Sequence, residues 1–334
     1  MMQSPMRAAQ DAAADFIIRD YVVPDDYVIH AAIQTAVLRH TPAVAADYAD
    51  MDAQRDSQCV TRRWIAAVDG QPIGVGTYYQ LERAYHPQKF FIRIWILPEY
   101  RRRGIGTALY DTIRAALEPF DPVMLWTDSR AYLPDGIRFA EQRGFVEWYR
   151  SAESFLFLDQ FDPAPFAGLE DKLRAEGITL STLRELQASD PDCLCKLHAL
   201  EGVLVLDVPG GDDRTFPDFE TWLRLSVQNE VCLPDAWIVA MRGDEHVGMH
   251  NMWSDRASDM LYNGLTAVRR EYRGRGIATA MKVRAIRWGQ ANGNSLIKTA
   301  NAVDNAPMLA VNRRLGFVKQ PEHIEFELIL RETD

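Results

Sequence analysis

Tyr100-Arg101-Arg102-Arg103-Gly104-Ile105-Gly106-Thr107-Ala108 and Tyr272-Arg273-Gly274-Arg275-Gly276-Ile277-Ala278-Thr279-Ala280 are two versions of one phrase. Gly104 and Gly276 stand 172 residues apart. A Gly-Phe pair follows each phrase at the same interval, Gly144-Phe145 and Gly316-Phe317. Upstream, Trp64-Ile65-Ala66 faces Trp237-Ile238-Val239 at an interval of 173, and Gly74 faces Gly248 at 174. Four landmarks in one order and at nearly constant spacing indicate an internal duplication, with about 150 residues per copy, a common domain size.

The chain's 334 residues exceed what one typical core organises. The repeat therefore predicts an N-terminal domain over 1–160, a linker over 161–178 and a C-terminal domain over 179–334. Pro163, Pro165 and Gly168 open the join, Leu169 to Ala175 can form a short helix, and Gly177 ends it. In the first copy the pattern predicts a strand at 16–19 and helices near 24–38 and 43–57. Strands at 63–68 and 72–80 follow around an Asp69-Gly70 turn, then an apolar strand at 90–97. A helix at 103–118 aligns Ile105, Ala108, Leu109, Ile113 and Leu117 near one face. A strand at 123–127, a helix at 135–143 and closing strands at 145–158 complete the copy. The second copy repeats the order. Its helices fall near 191–201, with Asp190-Pro191 as the cap, and near 217–227. Strands at 236–241, 246–253 and 259–268 precede a helix at 275–292, a strand at 295–301, a helix at 305–315 and strands at 317–330. Alternation of this kind is a mixed α/β pattern.

Composition narrows the class of protein. With 47% hydrophobic and 25% charged residues the chain can fill a core, and long disorder is not indicated. A net charge of −10 argues against a nucleic-acid partner, which requires a basic surface. It is compatible with a cationic substrate, although solubility alone explains it. Four cysteines without a CxxC pair fit a reduced, cytoplasmic protein. Residues 1–15 lack the apolar core of a signal peptide and read as a loose terminus, and no apolar run is long enough to span a bilayer.

Each phrase lies where an apolar strand runs into a helix. Small residues at Gly104 and Gly106, and at Gly276 and Ala278, let a phosphate approach the backbone. The first N–H groups of a helix have no internal partner and the helix dipole favours an anion there. Arg101, Arg102 and Arg103, like Arg273 and Arg275, add positive charge. No Gly-Lys-Ser/Thr follows, and the third glycine of a GxGxxG fingerprint is absent. The chemistry is that of a pyrophosphate cradle, present twice.

Both copies resemble the GNAT superfamily of N-acetyltransferases, whose loop for coenzyme A (CoA) reads Arg/Gln-x-x-Gly-x-Gly/Ala. Arg101 to Gly106 and Arg273 to Ala278 match it, and Asn312-Arg313-Arg314-Leu315-Gly316-Phe317 is similar to the family's later segment. The resemblance covers nearly the whole chain and implies two tandem GNAT-type α/β domains, each a mixed, mostly antiparallel sheet flanked by helices. It implies acetyl-CoA as co-substrate, no metal, and direct attack of an amine on the thioester in a ternary complex. CoA would contact Arg101, Arg102, Arg103, Gly104, Gly106 and Thr107 in one copy, and Arg273, Gly274, Arg275, Gly276, Ala278 and Thr279 in the other. Pantetheine would pair with backbone near Ile96 and Val268, where an N–H would polarise the thioester carbonyl. No Gly-x-Ser-x-Gly elbow or Cys–His pair suggests an acyl-enzyme.

The copies depart from the family, and from each other. The tyrosine that many relatives place four residues before the Gly of Gly-Phe is Ala140 in one copy and Asn312 in the other. Neither supplies a proton as a phenol does. Asn312 is a candidate for a hydrogen bond near the sulfur or for a local cap, and Tyr262 is a substitute acid or a structural strand residue. Asn301 and Asn305 stand where relatives often hold an asparagine on CoA, against Ser129 and Leu133 in the first copy. These favour the second copy as the better CoA site, with CoA binding by both copies left open. His250 with Asp255 is a candidate base beside the ordinary reading of a structural histidine. Cys193, Cys195 and His198 hint at metal, but their helical spacing turns them apart. Asp212 and Asp213 belong to an acidic loop that is either solvated or the mouth of an amine site.

The expectation is transfer of an acetyl group to a small-molecule amine, without nucleic acid or membrane as partner. A non-catalytic acyl-CoA-binding module and a protein Lys or N-terminal acetyltransferase are the alternatives, and the oligomeric state is left open.

Overall fold

A computed structural model describes residues 16–82, 85–208 and 216–331. The reading of 1–15 as a loose terminus and of Asp212 and Asp213 as an acidic mouth lies outside the described residues. By packing, the chain gathers into two units. Of the described residues, one unit holds 16–80 together with 87–123, and the other holds 81–82, 85–86, 124–208 and 216–331.

The first unit is an antiparallel sheet in the order β1 (Phe16–Asp20), β2 (Thr61–Val68), β3 (Gln71–Tyr79) and β4 (Lys89–Ile96). The Asp69-Gly70 turn joins β2 to β3 with both residues at positive φ, 49° and 78°, as a two-residue hairpin requires. Helices α1 (Asp26–Val37) and α2 (Ala45–Ala53) precede β2. Helix α3 (Ile105–Leu117) buries Ile105, Leu109, Ile113 and Leu117, each within 1% of full burial. The four-residue spacing puts them on one stripe, and each contributes about 2 kcal/mol by leaving water.

The second unit contains β5 (Met124–Arg130), α4 (Pro134–Glu141), β6 (Val146–Phe157), α5 (Leu169–Ala175), β7 (Ile178–Thr182), α6 (Leu183–Ser189) and α7 (Cys193–Leu204). It continues with α8 (Phe219–Trp222), which runs into a π-helical turn at Leu223–Val227, then β8 (Ile238–Arg242), β9 (Glu245–Ser254), β10 (Leu261–Val268) and α9 (Ile277–Ala291). β11 (Leu296–Ala302), α10 (Ala306–Arg314), β12 (Val318–Lys319) and β13 (His323–Ile329) complete it. Its strands run β5-β13-β6-β11-β10-β9-β8-β7, with β12 also on β6. The mixed, mostly antiparallel α/β sheet implied by the resemblance is present.

The repeat and the packing divide the chain differently, because the copies exchange strands. β13, from the second copy, lies between β5 and the start of β6, both from the first. The end of β6 pairs along β11 of the second copy, from Ser151↔Ala302 to Phe157↔Leu296. The segment read as closing strands at 145–158 is therefore one 12-residue strand that serves both copies. Leu156 and Leu158 accordingly share a core with Ile277, Ile286 and Ile297. Residues 161–178 are also packed, since α5 buries Leu173 completely.

One local reading changes, that of the α7 cap. β7 and α6 carry no expectation from the sequence pattern, although Thr182 and Glu185 form a capping box at the head of α6, with Thr182 Oγ1 accepting from Glu185 N–H at 3.1 Å. Asp190 is not the cap of α7. Asp192 is, and Asp190 Oδ1 instead accepts the Asp192 N–H at 2.9 Å. Cys193 is buried and Cys195 exposed, while His198 Nε2 lies 2.9 Å from the Pro217 carbonyl. Among the described residues no His/Cys/Asp/Glu cluster is grouped to hold a metal, and no helix is long and apolar enough to cross a membrane.

Candidate active site

In both copies a strand ends, a single 3-10 turn follows (Pro98–Tyr100 or Arg270–Tyr272), and a left-handed glycine starts the helix. Gly104 has φ 83° and Gly276 φ 91°. A side chain at either position would be strained by that backbone, and at Gly276 its Cβ would also press on Leu169 Cδ1 at 3.2 Å. The first helical bonds are Ala108 N–H to Gly104 O and Ala280 N–H to Gly276 O, at 3.0 and 2.9 Å. The earlier N–H groups stay outside the helical ladder, as an anion site requires.

The leading arginine of each loop turns back onto its strand. Arg101 Nε donates to the Ile96 carbonyl at 3.1 Å, and Arg273 Nε to the Val268 carbonyl at 2.9 Å. This brings together predicted site residues, Ile96 with Arg101 and Val268 with Arg273. Beyond that the loops differ in charge. No carboxylate among the described residues pairs with Arg101, Arg102 or Arg103. Arg103 donates to the Glu99 carbonyl at 2.8 Å and covers the Tyr100 ring. In the second copy Asp207 binds both Arg270 and Arg273, and Glu176 lies 3.8 Å from Arg275. The two arginines hold the Asp207 carboxyl below its ordinary pKa, Arg270 first. Gly274 has φ 77°, Thr107 is exposed and Thr279 is buried.

The decisive difference lies on β10. It pairs in parallel with β11 only from Leu261↔Ile297 to Asn263↔Thr299, and then the two strands part. On its other side, against β9, the register slips between Asn263 and Thr266, a β-bulge. Gly264 sits in the bulge, where a Cβ would come 2.3 Å from Asn251 Oδ1 and 2.6 Å from Trp253 Nε1. Past the bulge, Arg269 N–H bonds Val247 O at 2.9 Å, which makes Val268↔Gly248 a non-hydrogen-bonded pair. The Val268 N–H and carbonyl therefore face the gap left by β11. By contrast, β4 holds one unbroken register on β3 from Tyr79↔Phe91 to Gly74↔Ile96.

Buried polar groups surround the bulge, with Asn263, Thr266 and His250 on the face that α9 covers and Asn251, next to His250 along β9, on the other face. Asn263 Nδ2 donates to the Gly264 carbonyl at 2.8 Å and to Thr266 Oγ1 at 3.2 Å, and Asn263 Oδ1 accepts from Lys282 Nζ. Asn251 Oδ1 accepts the Leu265 N–H at 2.7 Å. His250 Nδ1 lies 2.9 Å from Thr266 Oγ1. From the β11 side, Asn312 Nδ2 donates to Asn301 Oδ1 at 2.7 Å. His250 Nε2 and Asn312 Oδ1 are buried with no partner among the described residues. Burial holds the His250 pKa well below its ordinary value, so the imidazole is neutral.

The expected residues are thus partly gathered. Asn301 and Asn312 meet. Asn305 instead caps α10, accepting the Met308 N–H at 3.3 Å. Tyr262 neighbours Asn263 and so points to the opposite face of the sheet, 42% exposed. His250 and Asp255 do not meet, because Asp255 accepts from Ala257 N–H and Ser258 Oγ within its own turn. Residues the sequence reading passed over, Asn251, Asn263, Gly264, Thr266 and Lys282, hold the bulge. Their one visible signal was Asn263-Gly264, a turn dipeptide inside a strand.

Comparison with known proteins places this geometry. The acetyltransferase (GNAT) family profile matches residues 30–145 and again 208–317. No curated protein matches the sequence. Among solved structures, the chain is similar to a GCN5-related N-acetyltransferase from Sphaerobacter thermophilus, at 21% identity and TM-score 0.72 over 96% of this chain and 97% of that one. It is also similar to a tandem GNAT protein from the clavulanic acid biosynthesis pathway, at 18% identity and TM-score 0.70 over 96% and 100%. A glucosamine N-acetyltransferase region of a fungal multi-domain β-N-acetylglucosaminidase gives 16% identity and TM-score 0.66 over 94% and 38%. At these identities the likeness is one of fold, and the doubled profile match carries the assignment: the chain belongs to the GNAT family of acetyltransferases, in tandem form.

Proposed function

We propose that the protein transfers an acetyl group from acetyl-CoA to the amine of a small molecule, at the second copy. The observation that carries this is the parting of β10 from β11 at the Asn263–Thr266 bulge, which exposes strand backbone beside the Gly276 loop. The gap, its backbone groups and the helix N-terminus suit a pantetheine arm ending in a pyrophosphate. When bound, the donor supplies an activated thioester. Arg273, Gly274, Arg275, Gly276, Ala278 and Thr279 would cradle the phosphates, and Val268 N–H would hold the thioester carbonyl. The amine nitrogen forms the new bond to the acyl carbon as the carbon–sulfur bond breaks, the nitrogen gives up one proton and the departing sulfur takes one, and no residue of the chain is acylated.

The first copy lacks this lining. At the corresponding interval of 172 residues it has Phe91 for Asn263, Ile94 for Thr266 and Ala140 for Asn312. Arg101, Arg102, Arg103, Gly104, Gly106 and Thr107 would still hold a CoA phosphate there, with Ile96 beside them, but without the polar groups that face a reacting centre. Tyr262, on the other face, is not assigned a proton. A cytoplasmic location and a partner list without nucleic acid or membrane belong to the same proposal.

The test is acetyl transfer from acetyl-CoA across a panel of small amines and lysine peptides, followed by release of free thiol and by mass of the product. Acetylated small amines support the reading. Acetylation of peptides alone moves the acceptor class, and stoichiometric CoA binding without transfer to any amine makes the chain a binding module.

A further inference from the structure

Lys282 is the least expected side chain on the buried face of α9. Its neighbours on that face are Met281, Val283, Ala285 and Ile286, and Lys282 is itself only 2% exposed. No carboxylate pairs with it among the described residues. An ammonium in such a place is opposed by desolvation, and burial lowers the Lys282 pKa from 10.5 to about 7. Packing alone would be served better by methionine or leucine.

Its contacts point to one task. Nζ donates to Asn263 Oδ1, with the Phe317 ring 5.3 Å away. Asn263 then spends both amide hydrogens inside the bulge, on the Gly264 carbonyl and Thr266 Oγ1. Thr266 in turn meets His250, the titratable neighbour on β9 that feels the Lys282 charge. One amine thus closes a chain of bonds that fixes the strand where it leaves β11. The duplication supplies a control within the molecule. The first copy packs α3 on β4 with Tyr110 and Phe91 at these positions, and β4 keeps an unbroken register.

We infer that Lys282 is a positioning residue for acyl transfer, fixing through Asn263 the bulge that opens the second copy's gap. The inference rests on the reading that this gap takes the acyl donor.

Two variants of the full chain test it. Lys282→Met keeps the volume and removes the donor, whereas Lys282→Gln keeps a donor for Asn263. Lys282→Met should remain folded with an equal or higher Tm, bind CoA within about twofold of the native protein, and lose about 10- to 100-fold in kcat. Lys282→Gln should recover much of that loss. Amide exchange over 261–268, read with no substrate present, should quicken in Lys282→Met and return toward native in Lys282→Gln. Unchanged exchange in a folded Lys282→Met overturns the inference whatever the activity, and so does an unchanged kcat. Failure of the native protein to bind CoA would instead overturn the functional reading, and the exchange measurement would still judge Lys282.

Discussion

Asn312 and Asn301 form a pair across the open side of β11, with the Asn312 amide donating to Asn301 over 2.7 Å. Asn312 is 2% exposed and its own oxygen has no partner among the described residues. A buried acceptor left unsatisfied is costly, and native proteins retain such groups mainly where something else binds. The residue that replaces the family's tyrosine is therefore a buried acceptor and not an acid. Asn312→Ala should lower kcat about tenfold and change the acetyl-CoA KM by less than about threefold, as expected when a group acts on the reacting centre. Steady-state kinetics on the best amine of the panel checks this, and equal losses in kcat for Asn305→Ala would show that capping of α10 was all that mattered.

Gly276→Glu should abolish transfer. The residue would sit at φ 91°, against Leu169, and would put a carboxylate into the cradle. Gly104→Glu meets open space, so its cost is confined to backbone strain and local charge. If the second copy carries the reaction, Gly104→Glu retains most of the native kcat while CoA titration loses any binding at the first loop. The opposite pattern would move the reaction to the first copy.

Asp207 neutralises the arginines of the second loop. Asp207→Asn should lower the KM for acetyl-CoA a few-fold at low salt, because Arg270 and Arg273 then face the donor's phosphates with full charge. Both arginines are well exposed, so the effect should fade as ionic strength approaches about 0.5 M, where screening lengths are only a few ångström. A KM that rises instead would mean that Asp207 chiefly holds Arg273 in place.

The exchanged strands make the copies interdependent. A fragment 1–160 would leave β5 and β6 without β13, and a fragment 179–334 would leave β11 without β6. Each should aggregate or self-associate alone, as unpaired edges do, and the two should recover solubility when co-expressed. In the full chain Phe326→Ala, at a position 1% exposed, should cost about 3–5 kcal/mol. Gel filtration of the fragments and denaturant melts of the variant read these outcomes.

Stability should depend on pH through Lys282. Its folded pKa is near 7 and its ordinary value 10.5, so between these limits the unfolded chain binds more protons than the native one. The contribution of this group to stability is therefore complete above about 10.5 and is lost as pH falls toward 7. Lys282→Met should flatten that part of the profile and gain most in Tm, relative to native, at or below neutral pH. Parallel melting curves from pH 6 to 10 would show it, and a constant difference between the two proteins would refute it.

Much of this was legible in the chain. The paired loops, the strand before each, the helix after each and the Gly-Phe landmarks were all local patterns, fixed by spacing and by the conformational demands of glycine at Gly104 and Gly276. They sufficed for the fold and the family. Two things depended on tertiary structure. The strand exchange was invisible because β6 and β13 read as ordinary strands wherever they pair, and nothing local in a strand names its partner. The inequality of the copies lay partly hidden for the same reason. Asn263, Gly264, Thr266 and Lys282 are spread over 20 positions of sequence, and only when α9 packs on β10 does a buried lysine meet the one asparagine that needs it.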